Sequence, residues 1–187
     1  MQLGLYFDQT RCTGCQACVV ACKDWNDIPA GSAALCRIDS LEEGRFPGPS
    51  LRFYPLGCFH CAEPPCVNAC PTQAINKRSQ DGVVVVKEEL CAPGCRRCLD
   101  VCPYHAPQFV GGAPMRLCDL CLDRWEANMK PICVLACPQR ALDAGPLEEL
   151  RSRYGGDTQL KGFPDPGPTR PSVLFRGKRA EEVFKPP

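Results

Sequence analysis

The sequence of 187 residues has only two histidines and no excess of either charge, with 22 lysines and arginines against 21 aspartates and glutamates. This balance argues against nucleic acid as the main partner. No stretch approaches the ~18 apolar residues of a membrane span. The apolar start, Met1 to Phe7, is too short for the core of a secretory signal. We therefore expect a soluble chain without a targeting signal.

Long hydrophobic runs are also missing, and the apolar stretch Val83–Val86 is no longer than a strand. A large conventional core is therefore not expected. The 20 prolines and 16 glycines predict many turns and few long helices. Cysteine is the outlier, with 17 residues, and is the candidate for holding the fold together.

Cysteine-rich chains use their thiols in four main ways. A disulfide framework fits poorly, because the count is odd and the cysteines come in groups of four. Haem attachment needs Cys-x-x-Cys-His, whereas the histidine of Cys58-Phe59-His60-Cys61 precedes the second cysteine. Structural zinc prefers two separated Cys-x-x-Cys pairs around one ion and is the stronger rival. Iron–sulfur clusters account for the whole pattern.

Four cysteine runs have spacings related to those of bacterial ferredoxins. They are Cys12-x2-Cys15-x2-Cys18-x3-Cys22, Cys58-x2-Cys61-x4-Cys66-x3-Cys70, Cys91-x3-Cys95-x2-Cys98-x3-Cys102 and Cys118-x2-Cys121-x11-Cys133-x3-Cys137. The last three end in Cys-Pro, where proline stops the preceding turn. The first three cysteines of the first run are expected in a loop around one cluster, with Gly14 at its tight turn. The fourth is expected to begin a helical turn.

The fourth cysteine of such a run binds the other cluster of a pair. The second and third runs are separated by only 20 residues, so we expect them to form one compact pair. The first and fourth runs must then pair around it. The predicted ligand sets are cluster 1 at Cys12, Cys15, Cys18 and Cys137; cluster 2 at Cys22, Cys118, Cys121 and Cys133; cluster 3 at Cys58, Cys61, Cys66 and Cys102; and cluster 4 at Cys70, Cys91, Cys95 and Cys98. The predicted cofactors are thus four 4Fe-4S clusters.

Some residues near the runs have less defined roles. Cys36 belongs to no run, and we expect a small buried apolar side chain rather than a redox group. His60 and His105 can each donate a hydrogen bond to a cluster sulfur or serve only in packing. Trp25 and Trp125 follow ligand cysteines and are expected to shield clusters from water.

The predicted fold class is irregular α+β, with two nested dicluster halves like bacterial ferredoxins (βαβ-type), long loops and an extended C-terminal tail. The outer half comprises residues 1–50 and 111–150, and the inner half comprises 51–110. Residues 26–50 are predicted to form a loop, Leu51–Tyr54 and Val83–Val86 strands, and Leu147–Tyr154 a short helix.

Residues 151–187 are predicted to form a partner-binding tail. The segment is rich in proline and cannot fold alone. Its spaced apolar residues suit wrapping over another protein, although a disordered, solvated tail is the alternative. These apolar residues are Phe163, Val173, Leu174, Phe175, Val183 and Phe184.

A resemblance to a known family rests on three features of the sequence. They are the segment Thr10–Asn26 (TRCTGCQACVVACKDWN), the four-residue gap in the second run and the eleven-residue gap in the fourth. Together they resemble the electron-transfer (beta) subunit of the dimethyl-sulfoxide/polysulfide reductase family of molybdopterin oxidoreductases. The resemblance implies four clusters in a near-linear row and supports the nested pairing. One residue more than the family usually has separates Cys91 from Cys95, and a Pro-Gly turn can absorb it.

The resemblance further implies a larger catalytic subunit with a molybdenum or tungsten bis-pterin site. The predicted function is the relay of single electrons between that subunit and another redox partner, which can be a quinone-reactive membrane subunit, a flavin subunit or a ferredoxin. The protein itself is predicted to be non-catalytic, because cubanes bound by four cysteines have no open coordination position.

Other functions remain open at this point. The protein can be a stand-alone polyferredoxin that serves several oxidoreductases, or a subunit of a tungsten aldehyde oxidoreductase or hydrogenase-type complex. A zinc-binding interaction protein is a further alternative. The expected location is the prokaryotic cytoplasm, or the periplasm if the protein is exported with a partner that carries a twin-arginine signal.

Overall fold

A computed structural model describes residues 1–112 and 114–178 of the chain. Within these residues the fold is mixed α/β, with few helices and four small sheets. The helices are α1 (Ala17–Trp25), α2 (Pro65–Ala69), α3 (Arg97–Asp100), α4 (Leu122–Glu126), α5 (Ile132–Leu135) and α6 (Leu147–Tyr154). The strands are β1 (Leu3–Asp8), β2 (Cys36–Glu43), β3 (Ser50–Gly57), β4 (Ile75–Lys77), β5 (Val84–Val86), β6 (Gln108–Phe109), β7 (Met115–Arg116), β8 (Leu142–Pro146) and β9 (Val173–Arg176).

The largest sheet brings together segments that are far apart in sequence. Its order is β8-β1-β9, with β1 antiparallel to β8 and parallel to β9. The central strand is buried at Phe7, and β9 is buried from Val173 to Phe175. The sheet therefore contributes apolar side chains to the core against which the cysteine segments pack.

The hairpin of β2 and β3 corrects the prediction of a loop over residues 26–50. The two strands pair antiparallel from Cys36 opposite Gly57 to Glu43 opposite Ser50. The predicted strand Leu51–Tyr54 lies inside β3, which is longer at both ends. No residue of β2 is fully buried. The strand is thus held by its hydrogen-bond ladder rather than by an alternating apolar face, and such a strand gives little sequence signal.

Helix contacts group the four cysteine runs in two pairs. Helix α1 of the first run packs against α5 of the fourth, and α2 of the second run packs against α3 of the third. Strands β4 and β5 pair beside the second group, and β5 contains most of the predicted strand Val83–Val86. These are the contacts that nested pairing expects, whereas the division into two halves stays a prediction.

The C-terminal segment differs from the predicted extended tail. Helix α6 forms over the expected residues, but the chain then folds back on its own core. Phe163 packs against Phe59, Tyr104 and Phe175, with ring centroids 4.7–5.3 Å apart. The apolar residues proposed as anchors for a partner are therefore buried within the chain, because the short elements leave an apolar surface that needs cover. Val183 and Phe184 lie outside the described residues.

A membrane-crossing helix is not found in residues 1–112 and 114–178, where every helix is too short or too polar to span a bilayer.

Candidate metal centres

The first cysteine run shows how the chain shapes a ligand loop. Its turn is at Gly14, which has a positive φ of 69°. Helix α1 begins at Ala17, one residue before the third cysteine, so the loop is shorter than predicted. Cys18 and Cys22 are both buried and lie about one turn apart on α1.

Replacing Gly14 with alanine is expected to destabilise this loop. The positive φ alone costs about 1–2 kcal/mol for a residue with a side chain, and the new Cβ would collide with the Phe53 ring. Gly94→Ala is the matched control, because Gly94 has a φ of 73° but nothing within 4 Å of a Cβ. Thermal unfolding of the metal-loaded variants compares them. Equal losses of stability would show that the contact with Phe53 is unimportant.

Each of the four predicted ligand sets lines one cavity. The first cavity is lined by Cys12, Cys15, Cys18 and Cys137. The second is lined by Cys22, Cys118, Cys121 and Cys133. The third is lined by Cys58, Cys61, Cys66 and Cys102. The fourth is lined by Cys70, Cys91, Cys95 and Cys98.

The spacing of the thiols favours a multi-atom group over a single ion. Zinc would draw four sulfurs to ~2.3 Å from one point. In the described part of the chain, no three Cys, His, Asp or Glu side chains converge closely enough to hold one metal ion. The thiols therefore surround a space wider than one ion needs, as an iron–sulfur core of several atoms requires.

The electrostatics of the thiols point the same way. Burial, and to a lesser degree neighbouring cysteines, raises the pKa of Cys66 to about 12 and that of Cys22 to about 11. Burial also raises the pKa of Cys98 to about 11. Several such thiolates around one cavity are unfavourable alone, because each is desolvated beside the others. A cationic cluster core offsets this cost and keeps its ligands deprotonated.

The closing cysteines of the runs share a hydrogen bond that the sequence analysis missed. The backbone N–H four residues later donates to the sulfur, from Ala74 to Cys70 at 3.3 Å and from Ala141 to Cys137 at 3.3 Å. Ala106 does the same to Cys102 at 3.5 Å. The preceding residue has a positive φ in each case, namely Gln73, His105 and Arg140. The repeated string Cys-Pro-x-x-Ala was the available signal.

The first run lacks this proline but keeps a donor at the same offset. The side-chain Nδ2 of Asn26 lies 3.7 Å from the sulfur of Cys22. N–H groups aimed at a thiolate stabilise its negative charge and tune a bound cluster. All four closing cysteines therefore have a donor four residues downstream.

The extra residue of the third run is accommodated by a tight turn. The N–H of Cys95 donates to the carbonyl of Ala92 at 3.2 Å, and Gly94 has a φ of 73°. Pro93 and Gly94 thus occupy the two central positions of a type II turn, as the Pro-Gly sequence predicts. The turn leaves Cys91, Cys95 and Cys98 lining one cavity with Cys70.

His60 does not donate a hydrogen bond from Nδ1 to a cysteine sulfur. His60 is completely buried, and its Nδ1 accepts the N–H of Val84 at 3.0 Å. Burial lowers the pKa of His60 to about 3, so the ring is neutral and its proton is on Nε2. Nδ1, 3.7 Å from the sulfur of Cys58, therefore has no proton to donate to it. His105 adopts the left-handed turn conformation described above and contributes its carbonyl to Arg37.

Trp25 is 42 % exposed, so it shields the cavities less than expected. Its indole Nε1 donates to Asp123 at 3.2 Å, and the guanidinium of Arg124 lies 4.5 Å from its ring centroid. Trp25 thus ties α1 to α4.

Cys36 occupies a more specific place than that of a small apolar residue. It lines the second cavity together with the four predicted ligands. Its thiol is also close enough to Cys18, which lines the first cavity, to lower the pKa of Cys18. Cys36 therefore lies between the first two cavities. Only its position outside the four cysteine runs distinguishes it from the predicted ligands.

Comparisons with known proteins identify the family and the type of cluster. Residues 49–147 match the model of a 4Fe-4S dicluster domain, and residues 3–24 match a 4Fe-4S binding domain. The sequence is 40 % identical to one of the polypeptides of the anaerobic dimethyl sulfoxide reductase of Haemophilus influenzae, with 94 % of this chain and 89 % of the relative covered. It is 38 % identical to the Escherichia coli K12 protein of the same name, with 94 % and 88 % covered.

A third relative comes from an enzyme with a different activity in its name. This polypeptide of the sulfite dehydrogenase of Allochromatium vinosum is 40 % identical, with 100 % of this chain and 87 % of the relative covered. The matched regions extend over nearly the whole chain and therefore span all four cysteine runs. The protein therefore carries 4Fe-4S clusters and belongs to the iron–sulfur electron-transfer subunits of the dimethyl-sulfoxide/polysulfide reductase family of molybdopterin oxidoreductases.

Proposed function

We propose that the protein holds four 4Fe-4S clusters, one in each cavity, on the four predicted ligand sets. The observation that carries the proposal is that each set of four cysteines, chosen from the sequence spacing, lines one cavity. When bound, each cluster supplies one-electron chemistry between the +2 and +1 states of its core. The protein then relays electrons between a molybdenum or tungsten bis-pterin subunit and a second redox partner.

Shared elements arrange the four cavities in a row. Cys18 and Cys22, on α1, line the first and second cavities. The second and third cavities share Cys58 in their walls. Cys66 and Cys70, at the two ends of α2, line the third and fourth. Neighbouring cavities are thus linked in turn by α1, by Cys58 and by the segment from Cys66 to Cys70.

Exposure supports the first and fourth cavities as the ends of this row. Cys15 of the first cavity is exposed. In the fourth, Cys70, Cys91 and Cys95 are partly exposed, whereas the third cavity has only buried cysteines and the second has two buried and two partly exposed ones. Electrons can therefore enter near one end of the row and leave near the other.

The protein groups have a supporting role rather than a catalytic one. The downstream N–H donors hold the closing cysteines as acceptors, and the apolar walls keep solvent away from the sulfurs. Four thiolate ligands fill the protein-facing positions of a cubane, so we propose that substrate chemistry occurs on the partner. The names of the relatives, which are polypeptides of a dimethyl sulfoxide reductase and a sulfite dehydrogenase, support such a partner.

Anoxic purification of the native complex tests this proposal. We expect four cubanes, about sixteen irons, per chain, together with molybdenum or tungsten in a co-purifying subunit. Spin quantitation after full reduction counts the clusters. A colourless, folded, zinc-loaded protein would overturn the cluster proposal, and a protein with four clusters but no pterin-bearing partner would favour a stand-alone polyferredoxin.

A further inference from the structure

Lys77 forms hydrogen bonds to the main chain of the loop that contains the second cysteine run. Its ammonium nitrogen donates to the main-chain carbonyls of Cys61 at 2.8 Å and His60 at 3.1 Å. It also lies 2.8 Å from the carbonyl of Gly82 and 3.0 Å from the side-chain oxygen of Gln2. Lys77 is the last residue of β4, which places its half-buried side chain under the loop. Four neutral oxygens thus surround one positive charge.

This charge lacks a carboxylate counter-ion among the described residues, where Lys77 makes no ion pair. The acidic residues that influence it are Asp81 and Glu63. Each of them already forms an ion pair with an arginine, Asp81 with Arg78 at 3.0 Å and Glu63 with Arg170.

Lys130 provides the contrast. Its ammonium nitrogen also bonds a main-chain carbonyl, that of Ala144, but lies 3.0 Å from the carboxylate of Asp143. The positive charge of Lys130 is therefore compensated within the chain.

The anionic groups left for Lys77 are the cysteine sulfurs of the third cavity. The ammonium group of Lys77 bonds the main chain of Cys61 at 2.8 Å, and Cys61 lines that cavity together with Cys58. A cubane with a +2 core and four thiolates carries a net charge of −2, and reduction adds one more negative charge. A fixed positive charge beside it stabilises the reduced form more than the oxidised form.

We propose that Lys77 is a positioning residue that sets the shape of the Cys58–Cys66 loop and raises the reduction potential of the cluster bound by Cys58, Cys61, Cys66 and Cys102. The inference rests on the proposed function, because it needs a cluster in the third cavity. The proposal gives one of the four clusters a neighbouring positive charge that no carboxylate of the described residues neutralises. Lys130, by contrast, is paired with Asp143.

Potentiometric titration of the intact anoxic complex, followed by electron paramagnetic resonance, tests the proposal. Lys77→Gln keeps hydrogen-bond donors but removes the charge. We expect the equilibrium constant for reducing one of the four clusters to fall about tenfold, which is 59 mV for a one-electron couple. Lys77→Arg retains the charge and should keep the potential near that of the wild type. Lys130→Gln is the control and should leave that cluster unchanged.

The outcomes separate the two proposals. Fewer than four clusters in the wild-type protein would contradict the proposed function itself. Four clusters in Lys77→Gln with no shift in any potential would overturn the role of Lys77. A shift of the same size in Lys77→Gln and Lys77→Arg would also overturn it, because the effect would then come from loop shape without charge. If Lys77→Gln loses iron, the potential of Lys77→Arg is decisive. A potential that differs from that of the wild type would then overturn the role of the charge.

Discussion

Removal of the iron is expected to unfold the protein. The main core contains the sulfur-bearing side chains of Cys58, Cys61, Cys66, Cys98 and Cys102 beside its apolar residues. Without clusters these thiols line unfilled cavities, and the helices of the described residues are all short. Binding free energy for such sites is folding free energy. We expect the chelated protein to lose its near-ultraviolet circular dichroism and its cooperative thermal transition.

Reconstitution provides the control for this experiment. The same protein, given iron and sulfide without oxygen, should regain both signals. A metal-free protein that melted cooperatively at the temperature of the loaded one would show that the sheet β8-β1-β9 and its core hold the fold by themselves. The clusters would then bind to a fold that is stable without them.

The largest effect of a single substitution is expected for Cys133→Ala. Cys133 lines the second cavity and is a predicted ligand of cluster 2. Its removal should lower the iron content from about sixteen to about twelve per chain and destabilise the contact of α1 with α5. Cys36→Ala is the matched control, since Cys36 lines the same cavity but belongs to no run. It should retain all four clusters.

Iron analysis and spin quantitation on the anoxically purified complexes distinguish these results. Full iron content in Cys133→Ala would exclude Cys133 as a required ligand. Loss of one cluster from Cys36→Ala, with Cys133→Ala unaffected, would move the ligand role to Cys36. Equal losses in both variants would show that the cavity as a whole, rather than one thiol, holds the cluster.

Cysteine spacing was the most informative part of the sequence. Intervals of two and three residues dictate which thiols can share a loop and which must point away, and this local geometry hardly depends on the rest of the fold. The family predicted from these runs is confirmed by the comparisons. The Pro93-Gly94 turn was predictable for the same reason, because glycine readily adopts the positive φ that the turn requires. The ligand sets stay predictions until metal is measured.

Features that depend on distant contacts could not be predicted in this way. The strand β2 carries few apolar residues, so its pairing with β3 is visible only in the fold. The apolar residues around Phe163 and Val173 indicated that something must cover them, but not that the cover is the chain itself. Lys77 resembles any surface lysine in sequence, and its four oxygen partners come from three separate segments.

The place of β9 beside β1 imposes an order on biogenesis. The sheet unites residues 3–8 with residues 173–176, so it cannot close until translation has passed β9. The cysteines of the third and fourth cavities all lie between positions 58 and 102 and leave the ribosome earlier. The first and second cavities must wait for Cys133 and Cys137. The cysteines of the two middle-segment cavities are thus all available first, and the N-terminal cysteines wait longest for the cysteines that share their cavities.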